Sequence, residues 1–180
     1  GDTEAVKANV LALLKEKYGV EIKARIGLNT GDAVVGNMGS DLRFDYSMFG
    51  DSVNLASRLE GLNKQFGTYF MCSQQTKKEA EGHLSDVYFR KIGKIVVVGK
   101  SEPITVYEPL NKADYVARKD FYDSFEEAVS LFYQGNFTKS RIIFEKYMQS
   151  DKACALYAEK CILYTENKES WKGYLVSNKK

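Results

Sequence analysis

Apolar residues early in the chain recur with the period of a helix. Val6, Val10, Leu13 and Leu14 share one face of residues 5–17, and Gly19 stands where a helix-ending glycine belongs. Beyond residue 20 the period falls to two. VEIKARIGLNTGDAVVGNMG alternates on both sides of Asn29-Thr30-Gly31-Asp32, which predicts a hairpin of two strands joined by a tight turn. Residues 51–66 return to helical spacing, with Leu55, Leu59, Leu62 and Phe66 in one sector. TYFMCS then reads as a short strand and QQTKKEAEG as a polar helix ending on Gly82. VYFRKIGKIVVVG and ITVYEPL form a strand pair around Gly99-Lys100-Ser101-Glu102-Pro103.

This order predicts an α+β fold whose sheet is covered by helices on one face. After Pro109-Leu110-Asn111-Lys112 the glycine-punctuated strands give way to a helical pattern, which sets an expected boundary between residues 1–112 and 113–180. In that tail Phe121, Phe125, Val129 and Phe132 step by about four, Gly135-Asn136 makes a turn, FTKSRIIFEKYM repeats the amphipathic theme, and Asp151 caps a third helix, DKACALYAEKCILY. The tail is expected to be all-helical.

Composition narrows the choice of function. With 44% hydrophobic residues the 180-residue chain has enough apolar material for a packed core, and a net charge of +2 gives no single-sign field for nucleic acid. Purely apolar runs such as Ile95 to Val98 and Ala153 to Ala158 are too short to cross a bilayer, so the segment is expected to be cytoplasmic and without membrane contact of its own. Cys72, Cys154 and Cys161, with a single histidine, fit neither a zinc site nor a disulfide framework and read as buried, reduced thiols.

The chemistry concentrates in YSMFGDSVNLASRLE, residues 46–60. At roughly 100° per residue, Asp51, Asn54 and Arg58 fall in one stripe beside the leucines. The leucines would anchor the helix while the stripe presents an amide and a guanidinium. Arginine offers a rigid fork of donors suited to phosphate oxygens, and asparagine both donates and accepts, as a sugar hydroxyl requires. The trio also fits ordinary surface chemistry, with Asp51 or Asn54 capping the helix and Arg58 paired to Asp51 or Glu60.

The run RIGLNTGDAVVGNMGSDLRFDYSMFGDSVNLASRLEGLNKQFG resembles the class III nucleotidyl cyclase catalytic domain, the family of adenylate and guanylate cyclases, and KSEPITVYEPL resembles its closing strand. The likeness covers roughly residues 1–110 and implies a partial ferredoxin-like cyclase sheet. In the family a ribose 3′-hydroxyl attacks the α-phosphate of a nucleoside triphosphate. The resemblance implies that Asn54 orients the ribose and that Arg58 stabilises charge on phosphorus, so that losing Arg58 costs on the order of 10² or more in rate. It places Ser47 where the base edge is read, which favours ATP over GTP, with Met48 and Val53 flanking the base. The two hydrophobic side chains fit core packing equally well.

Two departures stand out. The family's metal-binding aspartates precede the helix with which this chain begins, so Mg2+ or Mn2+ is expected in a longer parent protein but no metal in this chain, which alone is expected to be inactive. Where many members carry a lysine before the turn glycine, this chain has Val98-Gly99-Lys100, leaving Lys100 as the candidate phosphate-binding cation and Lys94 as a weaker substitute. Family enzymes are dimers, which implies a homodimer. Residues 114–180 resemble a tetratricopeptide-like helical hairpin with a capping helix, and Trp171-Lys172-Gly173-Tyr174 fits the Trp-x-Gly ending of similar tails on bacterial cyclases. The parent would be an intracellular signalling enzyme, with any membrane anchor expected in upstream segments. The alternatives are a degenerate cyclase-like module that binds nucleotide or a partner without turnover, and a tail whose exposed Phe121, Phe125 and Phe132 serve protein interaction.

Overall fold

The computed structural model describes residues 15–19, 23–40 and 43–177, with backbone alone at 38–40 and 43–45. Most of the expected helix over 5–17 lies outside the described residues. Residues 15–18 are helical, and Gly19, at φ +63°, donates its N–H to the Lys15 carbonyl at 3.0 Å as a helix-ending glycine does.

The fold is α+β. Strand β1 (Ile26–Leu28) is followed by β2 (Val34–Ser40) and β3 (Arg43–Phe49), then helix α1 (Asp51–Phe66), β4 (Phe70–Ser73), α2 (Gln74–Glu81), β5 (Val87–Val96) and β6 (Ile104–Asn111). The tail supplies α3 (Lys112–Ala117), α4 (Lys119–Tyr133), α5 (Phe137–Glu145), α6 (Lys152–Glu166), a single 3-10 turn at Lys168–Ser170 and β7 (Leu175–Val176). Five strands form one sheet in the order β1-β4-β6-β5-β7, and β2 with β3 forms a separate two-stranded ribbon.

The hairpin expected over 20–39 does not form. β1 pairs in parallel with β4, while β2 pairs antiparallel with β3. The connection that looked like a tight turn is drawn instead onto the start of α1. The Asn29 amide donates to the Ser52 carbonyl at 3.1 Å, and a β-carbon on Gly31 would sit 2.4 Å from Ser52 Oγ. The hydrogen bond and the close approach that glycine allows at residue 31 keep the segment against the helix and carry β2 away from β1.

One hydrophobic core runs under the sheet and into the tail. Leu59, Leu62 and Phe66 of α1 meet Ile92 and Ile95 of β5 and Phe125, Phe132, Phe144 and Tyr157 of the tail, all nearly or fully buried. Because Phe121, Phe125 and Phe132 are buried in that core, they do not form an exposed groove. Cys72, Cys154 and Cys161 are buried free thiols, and burial pushes the Cys72 thiol up to about 12 although Lys77 acts the other way.

The tail is bonded to the strands as well as packed on them. At a bulge in β5, Gly93 has φ +156°, and a β-carbon there would lie 2.3 Å from the Tyr157 hydroxyl and 2.6 Å from that of Tyr133. Those hydroxyls fill the space: Tyr157 donates to the Ile92 carbonyl at 2.6 Å and Tyr133 accepts from the Lys94 N–H at 2.6 Å. Beside them the buried Arg90 makes a two-pronged pair with Asp151, both contacts at 2.9 Å, and reaches Glu108 at 3.2 Å. Its guanidinium stands 3.7 Å over the Phe125 ring. Asp151 also caps α6, accepting from the Cys154 N–H at 2.9 Å.

Candidate active site

Helix α1 carries the expected stripe, and its neighbours fix it along its length. At its C-terminus Gly67 adopts φ +74° and donates to the Asn63 carbonyl at 2.8 Å. The fully buried Asn63 donates to the Ile26 carbonyl at 3.0 Å and accepts from the Thr68 hydroxyl at 2.7 Å, tying the helix to β1. Between these points a β-carbon on Gly27 would lie 2.1 Å from the Ala56 carbonyl oxygen, so only glycine lets β1 approach the helix so closely.

The helix N-cap is Gly50, at φ +141°, and Asp51 is the first helical residue. Asp51 is ion-paired with Lys100. With its carboxylate engaged by Lys100, Asp51 does not neutralise Arg58. Among the described residues neither Arg58 nor Asn54 has a side-chain hydrogen-bond or ion-pair partner. Asn54 is exposed and Arg58 half-buried, so both face open space from a fixed helix.

Arg58 is held by shape. The turn after β5 brings Gly99, at φ +73°, against its guanidinium, and a β-carbon there would lie 2.9 Å from Nη2 and 3.4 Å from Cζ. The same turn is closed by the Lys100 N–H donating to the Val97 carbonyl at 3.0 Å. A cavity of about 260 Å³ opens beside the arginine, between Ser57, Gly61, Leu62, Val97, Val98 and Ser177. The structure thus gathers Asp51, Asn54, Arg58, Gly99 and Lys100 along the N-terminal half of α1.

The other candidates sit differently. Ser47, half-buried, and Met48, 62% exposed, are carried by β3 on the ribbon, where Ser47 is opposite Gly36 and Met48 opposite Val35. Val53 is half-buried in the first turns of α1. Lys94 belongs to the tail contact through its backbone bonds to Tyr133. The partnership of Gly99 with Arg58 and of Lys100 with Asp51 was missed in the sequence, although a glycine between Val98 and Lys100 was a visible signal for a left-handed turn.

Among the described residues no three His, Cys, Asp or Glu side chains gather into a possible metal site, and the carboxylate on the stripe is already paired with Lys100. The described residues therefore do not fit a divalent ion, and their chemistry is that of an uncharged amide and a positive fork.

Residues 6–108 match the family described as the adenylate and guanylate cyclase catalytic domain. The chain belongs to that family. Relatives include adenylate cyclase 1 of Rhizobium meliloti, 40% identical over 88 residues, which cover 49% of this chain and 13% of that protein. The terminal-differentiation-specific adenylate cyclase of Dictyostelium discoideum is 25% identical over 147 residues, covering 78% of this chain and 7% of its own length. Among solved structures, the adenylyl cyclase CyaB from P. aeruginosa is 32% identical, with a TM-score of 0.47 over 58% of this chain and 52% of that one. This cyclase-family chain thus spans only a small part of the curated relatives it matches. No helix among its described residues is long and apolar enough to cross a membrane.

Proposed function

We propose that the protein containing this chain is a nucleotidyl cyclase that converts ATP to cyclic AMP and pyrophosphate, with Asn54 and Arg58 as its catalytic residues. The observation that carries this reading is the guanidinium of Arg58, left without a carboxylate partner among the described residues and backed by the Gly99 turn. In the reaction a bond forms between the ribose 3′-oxygen and the α-phosphorus, the bond from that phosphorus to the bridging oxygen breaks, and the hydroxyl proton passes to solvent. Asn54 holds the ribose, and Arg58 donates to oxygens that gain charge as the phosphorus becomes five-coordinate. A preorganised donor is worth most at that stage because no reorientation is needed. Mg2+ or Mn2+, where bound, would supply Lewis-acid activation of the phosphate from residues other than those described.

Ser47 is proposed to read the base edge, Met48 and Val53 to flank it, and Lys100 to contribute charge near the triphosphate. ATP is favoured over GTP because a hydroxyl at this position matches the threonine of many bacterial members. A homodimer is proposed on the ribbon, where Val34, Tyr46 and Met48 are 71%, 76% and 62% exposed. Residues 113–180 are proposed as a tetratricopeptide-like unit that shares the hydrophobic core of the sheet, and the protein is proposed to work in the cytoplasm. A second reading, a module that binds nucleotide without turnover, draws on Val98, which lines the cavity beside Arg58 where many members have lysine.

The test is product analysis. Full-length protein supplied with manganese and either ATP or GTP should release cyclic AMP and pyrophosphate in equal amounts from ATP, and far less cyclic GMP from GTP. Nucleotide binding with no cyclic product from either would select the second reading.

A further inference from the structure

The end of the tail reaches back to the turn that confines Arg58. β7 adds to the free edge of β5, with Leu175 opposite Ile95 and Val176 opposite Val96. Ser177 continues the contact from both of its polar groups. Its N–H donates to the Val96 carbonyl at 2.9 Å, and its hydroxyl accepts from the Val98 N–H at 3.1 Å. Val98 is followed directly by Gly99, the residue against which the Arg58 guanidinium lies.

We propose that Ser177 is a positioning residue for Arg58, acting through the Val98-Gly99 turn. The inference rests on the cyclase reading above but concerns a segment outside the family match, which ends at residue 108. The physical case begins with what fails to hold Arg58. It has no ion pair among the described residues, and a cavity of about 260 Å³ lies alongside it, so the side chain has room to turn aside. What limits it is the backbone at Gly99.

That backbone is fixed at three points. The Lys100 N–H bonds the Val97 carbonyl, the Lys100 ammonium pairs with Asp51, and Ser177 holds Val98. The first is internal to the turn and the second is an exposed pair of small energy. Ser177 is the anchor from outside, itself only 9% exposed and set by a strand whose Leu175 is 2% exposed. Without its hydroxyl the Val98 N–H loses its partner and the turn can relax toward solvent, carrying Gly99 off the guanidinium. The tail would then support the chemistry through one serine at its end, in addition to packing on the sheet.

The test uses the full-length protein with Ser177→Ala and Ser177→Thr. Ser177→Ala is expected to lower kcat by about tenfold with KM for ATP changed less than about twofold, since a small displacement of a transition-state donor affects turnover more than substrate binding. Hydrogen exchange at the Val98 amide should quicken while β5 keeps its protection, and Ser177→Thr should restore both the exchange rate and kcat. Unchanged kcat in Ser177→Ala, or a loss accompanied by general loosening of β5 and not rescued by threonine, would overturn the proposal. If the unsubstituted protein makes no cyclic nucleotide, the cyclase reading fails first and the positioning role falls with it.

Discussion

Gly99 and Arg58 touch as backbone against side chain: a β-carbon on Gly99 would approach Arg58 Nη2 to 2.9 Å, closer than such atoms settle. The glycine is also at φ +73°, where other residues are strained. Gly99→Ala is therefore expected to push aside the flexible end of Arg58 and to cost about 1 kcal/mol in backbone strain. Turnover should fall by about tenfold while the protein stays folded, because the donor is displaced and not removed. Steady-state kinetics beside a thermal melt checks both.

Gly27 presents the opposite case. The atoms a β-carbon would meet there are backbone, the Ala56 carbonyl oxygen at 2.1 Å and the Glu60 nitrogen at 2.4 Å, and neither can swing away. Gly27→Ala should force α1 off β1, breaking the Asn63 bond to Ile26, and destabilise the fold by about 3 kcal/mol or more. Denaturant unfolding would show it as a lowered midpoint.

The contrast between these glycines shows what the sequence disclosed. The helix over residues 51–66 was legible because leucines at helical spacing run from Gly50 to Gly67, and the stripe of Asp51, Asn54 and Arg58 followed from the same geometry. β5, β6 and the tail helices α4, α5 and α6 were equally plain, whereas the short α3 was not read. The pairing of β1 with β4 was not, since a local pattern suggests which segments are strands but not which distant strand completes the ladder. β7 is two residues long and has no periodicity to read. The role of Lys100 escaped for a similar reason: its partner Asp51 lies 49 residues away in the chain, and only the folded turn brings them together.

The Arg90–Asp151 pair predicts a pH dependence. Burial opposes ionisation of Asp151, but hydrogen bonds and charge from Arg90 outweigh it and hold the carboxyl below its ordinary value of 3.8. A depressed folded value means stabilisation that is present above the unfolded value and lost as pH falls through the folded one. Glu108 has the opposite sign, since burial raises its carboxyl above the ordinary value despite Arg90. Its contribution is largest at low pH and fades as pH rises through its folded value. The thermal midpoint should therefore drop steeply only below about pH 4, where Asp151 takes up its proton. Asp151→Asn should remove most of that acid limb and, by leaving Arg90 buried with less compensation, cost about 3 kcal/mol at pH 7. Melting curves from pH 7 to pH 2 for both proteins measure it.

Arg58 is proposed to stabilise charge built up on phosphorus in the transition state. The most direct measurement is the steady-state conversion of ATP to cyclic AMP by the full-length protein and its Arg58→Ala variant, with folding of both verified by circular dichroism. In the variant kcat should fall on the order of 10² to 10³ while KM changes by less than about threefold, the signature of an interaction made only as the reaction proceeds. A variant that keeps the parental kcat, or that loses ATP affinity while turning over normally once saturated, would contradict it.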